Sequence, residues 1–125
     1  MVLVDTSVWV LHLREGNIDL ERLLNNGEAV CHPFIVGELA CGNLKNRIEI
    51  LSLLQALPAA IQADHEDIMQ FIENHQLMGK GLGYIDMHLL ASALLTEVSI
   101  WTADKRLAEI SKELGIGFRP KETTS

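Results

Sequence analysis

Cysteine is scarce in this chain of 125 residues: there are two, Cys31 and Cys41, ten positions apart. That spacing makes neither a CxxC pair nor a disulfide framework. It fits two small apolar residues in a reducing compartment better than a zinc site completed by the neighbouring His32. Long apolar runs are also missing, so no stretch reaches the eighteen or so residues of a membrane span. The N-terminus lacks a basic region, and Asp5 interrupts the opening apolar run at once, so no targeting segment is expected. There is no internal repeat, no low-complexity segment and no linker. Basic residues are few, and the net charge of −7 argues against nucleic-acid binding driven by bulk charge. These absences point to one cytoplasmic domain over residues 1–125. Its 48% hydrophobic content suffices for a real core.

Apolar patterning alternates short strands with helices. Met1 to Val4 reads as a strand ended by Asp5, and Thr6 to Arg14 as a helix. Asp19 is placed to cap a short helix that "NNG" (25–27) stops. "EAVCH" (28–32) reads as a second strand, and Pro33 suits the first turn of a helix running to about Gly42. Asn43 is placed to cap the next helix, with Leu44, Ile48, Leu51 and Leu54 on one face and Pro58 at its end. "AAIQA" (59–63) is a possible strand. Asp64 to His75 is a helix with an acidic first turn, "MGKGLG" (78–83) a loop and Tyr84 to Leu95 a helix. "VSIWT" (98–102) is a strand, Asp104 to Leu114 a helix, and "IGF" (116–118) a possible last strand. The tail from Arg119 to Ser125 is polar and expected to be loose. Such alternation implies a mostly parallel sheet between helices, with ligands at the carboxyl ends of its strands.

Four carboxylates stand in awkward places. Asp5 and Asp104 follow strands, where each also serves as an ordinary helix cap. Glu38 has Phe34, Ile35, Cys41 and Gly42 as helical neighbours. It is either held by a partner or cation, or lies along the core by its stem with its head in water. Asp86 has Leu82, Gly83, Leu89 and Leu90 around it. It is either part of a site or a first-turn acid favoured by the helix dipole. Converging carboxylates repel, and a divalent cation relieves the repulsion. Hard oxygen ligands suit Mg²⁺ or Mn²⁺, which keep waters and take substrate phosphates. Such ions activate water and steady a leaving oxygen in phosphodiester hydrolysis.

The segments "VLVDTSVW", "PFIVGELACG", "GLGYIDMHLLASALL" and "IWTADKRL" together resemble the PIN-domain ribonucleases, in particular the VapC toxins of bacterial toxin–antitoxin pairs. The match covers nearly the whole chain, in the family's order and approximate spacing. The resemblance implies a PIN-like three-layer α/β/α sandwich with a four- or five-stranded, mostly parallel sheet. It makes Asp5, Glu38, Asp86 and Asp104 the catalytic, metal-binding quartet. Thr6 or Ser7, and Thr102, become the supporting hydroxyls. It also implies endonucleolytic cleavage of RNA, often tRNA or another structured RNA, with one or two Mg²⁺ or Mn²⁺ ions. A homodimer held inactive by an antitoxin protein is implied as well. Many members carry a further acid two positions after the fourth, where this chain has Arg106.

Without the four site acids, 13 acids face 10 bases and the balance is −3. Arg14, Lys45, Arg47, Lys80, Lys105 and Arg106 flank the motifs, either as phosphate contacts or as ordinary solvated residues. The five histidines show no ligand spacing. Trp9 and Trp101 suit core packing better than base stacking. "GKGLG" lacks the phosphate-loop pattern. A phosphatase of the haloacid dehalogenase type wants DxD after its first strand, and a receiver domain wants an acidic pair before its phosphorylated Asp. Neither is present. A catalytically silent scaffold for RNA or protein is the non-enzymatic alternative.

Overall fold

The computed structural model describes residues 1–120. The expectation for the tail therefore falls, for residues 121–125, outside the described residues. In chain order the elements are β1 (Val2–Val4), α1 (Thr6–Glu15), α2 (Ile18–Asn25), β2 (Ala29–Val30), α3 (Pro33–Ala40), α4 (Arg47–Ala56), α5 (His65–His75), α6 (Tyr84–Thr96), β3 (Ser99–Trp101) and α7 (Lys105–Glu113). The strands form a parallel sheet in the order β2-β1-β3, with Leu3 opposite both Val30 and Ile100. Val2, Leu3 and Val4 are all buried, although successive side chains point to opposite faces. Both faces are therefore covered, as an α/β sandwich requires.

The sheet has fewer laddered strands than four or five because its outer members contribute single bridges. Cys31 pairs with Ala59 on one side, and Ile100 with Gly117 on the other, both parallel. Beyond Ala59 the pairing stops because the Ile61 N–H donates to Thr96 Oγ1 at 2.9 Å instead of to a strand. Beyond Phe118, whose N–H donates to Ile100 O at 2.9 Å, the chain soon reaches Pro120, which has no N–H to offer. Residues 59–63 and 116–118 thus lie beside the sheet without extending as strands.

Several caps differ from expectation. Asn17, not Asp19, caps α2 through a bond from Leu20 N–H (3.0 Å). Asp19 instead sits in the first turn and pairs with Arg22 at 3.6 Å. Helix α4 begins at Arg47 rather than after Asn43, because Arg47 turns back onto α3. Its guanidinium donates to Ala40 O and, at 3.1 Å, to Gly42 O, closing the end of that helix. Asn46 takes a left-handed conformation (φ 54°) to allow the turn. The later start leaves Ile48 82% exposed, whereas Leu54 is in the core. Pro33 does open α3, and His32 caps it by accepting Phe34 N–H on Nδ1 (3.0 Å). Asp64 and Asp67 make a reciprocal capping box on α5. In α6 every residue from Met87 to Ala93 is buried, which explains its even run of Leu and Ala.

Among the described residues, no helix is long and apolar enough to cross a membrane.

Candidate active site

The carboxyl ends of β1 and β3 lie side by side, because Asp5 N–H extends the ladder to Trp101 O (2.8 Å). Asp5 then occupies the N-cap position of α1, yet its carboxylate makes no capping bond. It is instead buried, at 7% exposure, and accepts from two hydroxyls. Ser7 Oγ donates to Asp5 Oδ2 at 2.7 Å and Thr102 Oγ1 donates to the same oxygen at 2.8 Å. The two hydroxyls accept in turn from Ala103 N–H (2.9 Å) and Asp104 N–H (3.0 Å). The chain therefore uses "DTS" to lock a buried carboxylate to a neighbouring strand, not to cap a helix.

Asp104 does cap its helix, accepting Leu107 N–H on Oδ1 at 3.0 Å. Asp86 lies in the first turn of α6 and accepts Gly83 N–H at 3.0 Å. Three of the four acids thus stand at helix N-termini, where the partial positive charge of unpaired N–H groups offsets some of their repulsion. Glu38 is the exception. It is exposed on α3, with its head in water as one of the two sequence readings has it, and its Oε1 accepts from Thr6 Oγ1 at 2.9 Å. Thr6 and Ser7 therefore divide the work: Thr6 holds Glu38, and Ser7 holds Asp5.

All four acids line one open cleft of about 550 Å³, together with Thr6, Ser7, Gly83, Tyr84 and Ile85. Their proximity is felt electrostatically. Burial pushes the Asp86 carboxyl above its ordinary range and the charges of Asp5 and Asp104 push it further, while the Gly83 N–H pulls it back. Among the described residues, however, no three His, Cys, Asp or Glu side chains are grouped closely enough to ligate one ion together.

Tyr84 was not anticipated at the rim. Its hydroxyl lies 2.7 Å from His65 Nδ1, and its ring meets His88 edge-on at 4.6 Å. Its position two residues before Asp86 was the available signal. His32 and His88 are buried against Phe34, and burial together with the facing His88 lowers the His32 pKa to about 4. Both rings are thus neutral packing elements at ordinary pH.

Of the basic candidates, Arg14, Lys80, Lys105 and Arg106 are exposed, and none lines the acidic cleft. Arg47 is committed to the carbonyls of α3. Arg106 lies across Gly81, whose φ of 81° is itself unfavourable for a side chain. A Cβ at Gly81 would overlap the guanidinium. Gly81→Ala is therefore expected to lower stability by about 1–2 kcal/mol in thermal unfolding. Combining it with Arg106→Ala should recover the part due to overlap and leave the part due to backbone strain.

The PIN domain family model matches residues 2–113. Ribonuclease VapC32 of Mycobacterium tuberculosis, from strains CDC 1551 / Oshkosh and ATCC 25618 / H37Rv, is 42% identical over 119 residues, covering 94% of this chain and 96% of that protein. Among solved structures, that of PAE2754 from Pyrobaculum aerophilum matches with a TM-score of 0.59 over 86% of this chain and 77% of that one. At 13% identity it speaks for the fold alone. Matched from β1 to the end of α7, the chain belongs to the PIN-domain family, among its VapC-type ribonucleases.

Proposed function

We propose that this chain is a metal-dependent endoribonuclease, acting as the toxin of a toxin–antitoxin pair. The observation that carries the reading is the single cleft lined by Asp5, Glu38, Asp86 and Asp104. The ribonuclease name of the mycobacterial relative supports RNA as the substrate, with tRNA or another structured RNA as the class to test first.

The donor set fits Mg²⁺ or Mn²⁺. All four groups are hard oxygen donors, and Mg²⁺ is commonly held by one or two carboxylates with waters and phosphates completing its shell. A set of three preassembled protein ligands is therefore not required. When bound, one or two such ions would supply the charge that makes a water more acidic and steadies the leaving oxygen. One or two of Asp5, Asp86 and Asp104 would hold an ion directly and the others through its bound waters, with Glu38 at the outer wall. Ser7 and Thr102 fix the orientation of Asp5, and Thr6 fixes Glu38. Burial and the charges of Asp5 and Asp104 disfavour the ionised form of Asp86, so a cation in the cleft would stabilise its charge. Arg14, Lys80, Lys105 and Arg106 grip phosphates outside the cleft. The products carry 5′-phosphate and 3′-hydroxyl ends. A cognate antitoxin, a homodimer, a single domain over residues 1–125 and a cytoplasmic site of action complete the proposal.

The test is to incubate the protein with total bacterial RNA in Mg²⁺, Mn²⁺ or EDTA and to sequence new 5′-phosphate ends, with Asp86→Asn in parallel. Discrete ends that need the metal and vanish in the variant are expected. Ends bearing 2′,3′-cyclic phosphate formed in EDTA would overturn the mechanism. Preserved function in an Asp5→Asn/Asp86→Asn double variant would favour a silent scaffold.

A further inference from the structure

Across the carboxyl end of β3 from the acidic cleft lies a second hollow of about 320 Å³. Its charged lining is three cations, Lys105, Lys112 and Arg119, against one acid, Glu109. In a chain of net charge −7 this is a local inversion of sign. Among the described residues, none of the three cations is in an ion pair, since the pair found there is Asp19 with Arg22.

The hollow and the cleft share a wall. Thr102 lines the hollow while its hydroxyl holds Asp5 at 2.8 Å. Asp104 lines the cleft, and the next residue, Lys105, lines the hollow. Phe118 adds a half-buried aromatic ring to the same lining, tilted 50° against Trp101 at 5.3 Å. The far wall is fixed by close backbone approach: a Cβ on Gly117 would come within 3.3 Å of the Lys112 backbone. Cations beside an aromatic ring are the chemistry that binds a single strand of nucleic acid, phosphate to cation and base to ring.

Resting on the nuclease reading above, we infer that this hollow is the subsite for the RNA strand flanking the scissile phosphate. Lys112 and Arg119 are its newly assigned phosphate contacts, Lys105 bridges hollow and cleft, and Phe118 is its stacking surface. The bound strand then runs over Thr102 into the acidic cleft.

The test measures binding of labelled total bacterial tRNA to the full-length chain carrying Asp86→Asn, so that bound RNA is not cut. Lys112→Ala with Arg119→Ala is expected to weaken binding roughly 5- to 20-fold at 0.1 M salt. The slope of log affinity against log salt should become shallower by about 1.4 to 1.8, the release expected of two phosphate contacts. Arg22→Ala, already paired with Asp19, is the control for lost charge alone and should change neither value. Both substituted side chains are exposed, and an unchanged melting temperature checks that the fold is kept. Unchanged affinity and slope in the double variant, or no tRNA binding by the parent even at low salt, overturns the subsite. The first of those results leaves the cations to an acidic protein segment. Cleavage by the wild-type chain is read separately. A wild-type chain that cuts no RNA, alongside tRNA binding through Lys112 and Arg119, refutes the nuclease reading and keeps the RNA subsite.

Discussion

Asp5→Asn is expected to lower RNA cleavage by more than about 100-fold while leaving the fold intact. Outer partners of a metal-binding carboxylate typically cost about 10- to 100-fold when removed, and the carboxylate itself costs more. Asparagine keeps an oxygen that can accept from Ser7 and Thr102, so the local structure has no reason to collapse. It removes the charge and turns the second carboxylate oxygen, an acceptor, into an NH₂ donor. Ser7→Ala and Thr102→Val should each fall in the range of about 10- to 100-fold, because they leave the charge but free its orientation. The graded order, Asp5 above its two hydroxyl partners, is the informative result. It is read from kcat with saturating RNA, beside circular dichroism of each variant. Equal losses at all three positions would mean that the hydroxyls touch substrate themselves, and no loss at Asp5 would remove it from the site.

Leu3→Ala should lower stability by about 2–5 kcal/mol, the range for fully buried leucines. Leu3 is wholly buried at the middle of the central strand, between Val30 and Ile100. A domain of this size is stable by only about 5–15 kcal/mol, so the loss is a large fraction of the whole. Thermal unfolding should shift downward by roughly 10–20 °C. The cavity would open two residues from Asp5, and cleavage near the new midpoint should fail before global unfolding is complete. A change below about 1 kcal/mol would show that the site collapses around the smaller side chain.

Much of this arrangement was legible in the sequence because it depends on short-range signals. The apolar run ended by Asp5, the cap at Asp104 and the first-turn Asp86 are each fixed within one turn of chain, and the structure places all three on one cleft. What escaped depended on distant partners. Glu38 leaves two readings open on its apolar face, held by a partner or with its head in water, because its exposure is set by how α3 packs against its neighbours and not by i±3 and i±4 residues. The division of labour between Thr6 and Ser7 was undecidable locally, because each hydroxyl bonds across the fold, to Glu38 and towards Thr102. The start of α4 was misplaced because Arg47 prefers the carbonyls of the preceding helix to continuing a pattern begun at Asn43. Residues 59–63 carry apolar side chains suited to a strand, yet a single hydroxyl, that of Thr96, takes the N–H that a longer ladder would need.

The two sides of the cleft differ in what it takes to move them. The Asp5 amide is part of the central ladder, bonded to Trp101 O, and its carboxylate is tied to the adjoining strand. The Gly83 amide is bonded only to Asp86, at the end of an exposed stretch with glycines at 79 and 81 in left-handed conformations. In hydrogen exchange the first amide should open only with the whole domain, and the second through local fluctuation. The cleft thus has one wall tied to the sheet by backbone and side-chain bonds and one whose rim, at Gly83, is held by a single side-chain bond.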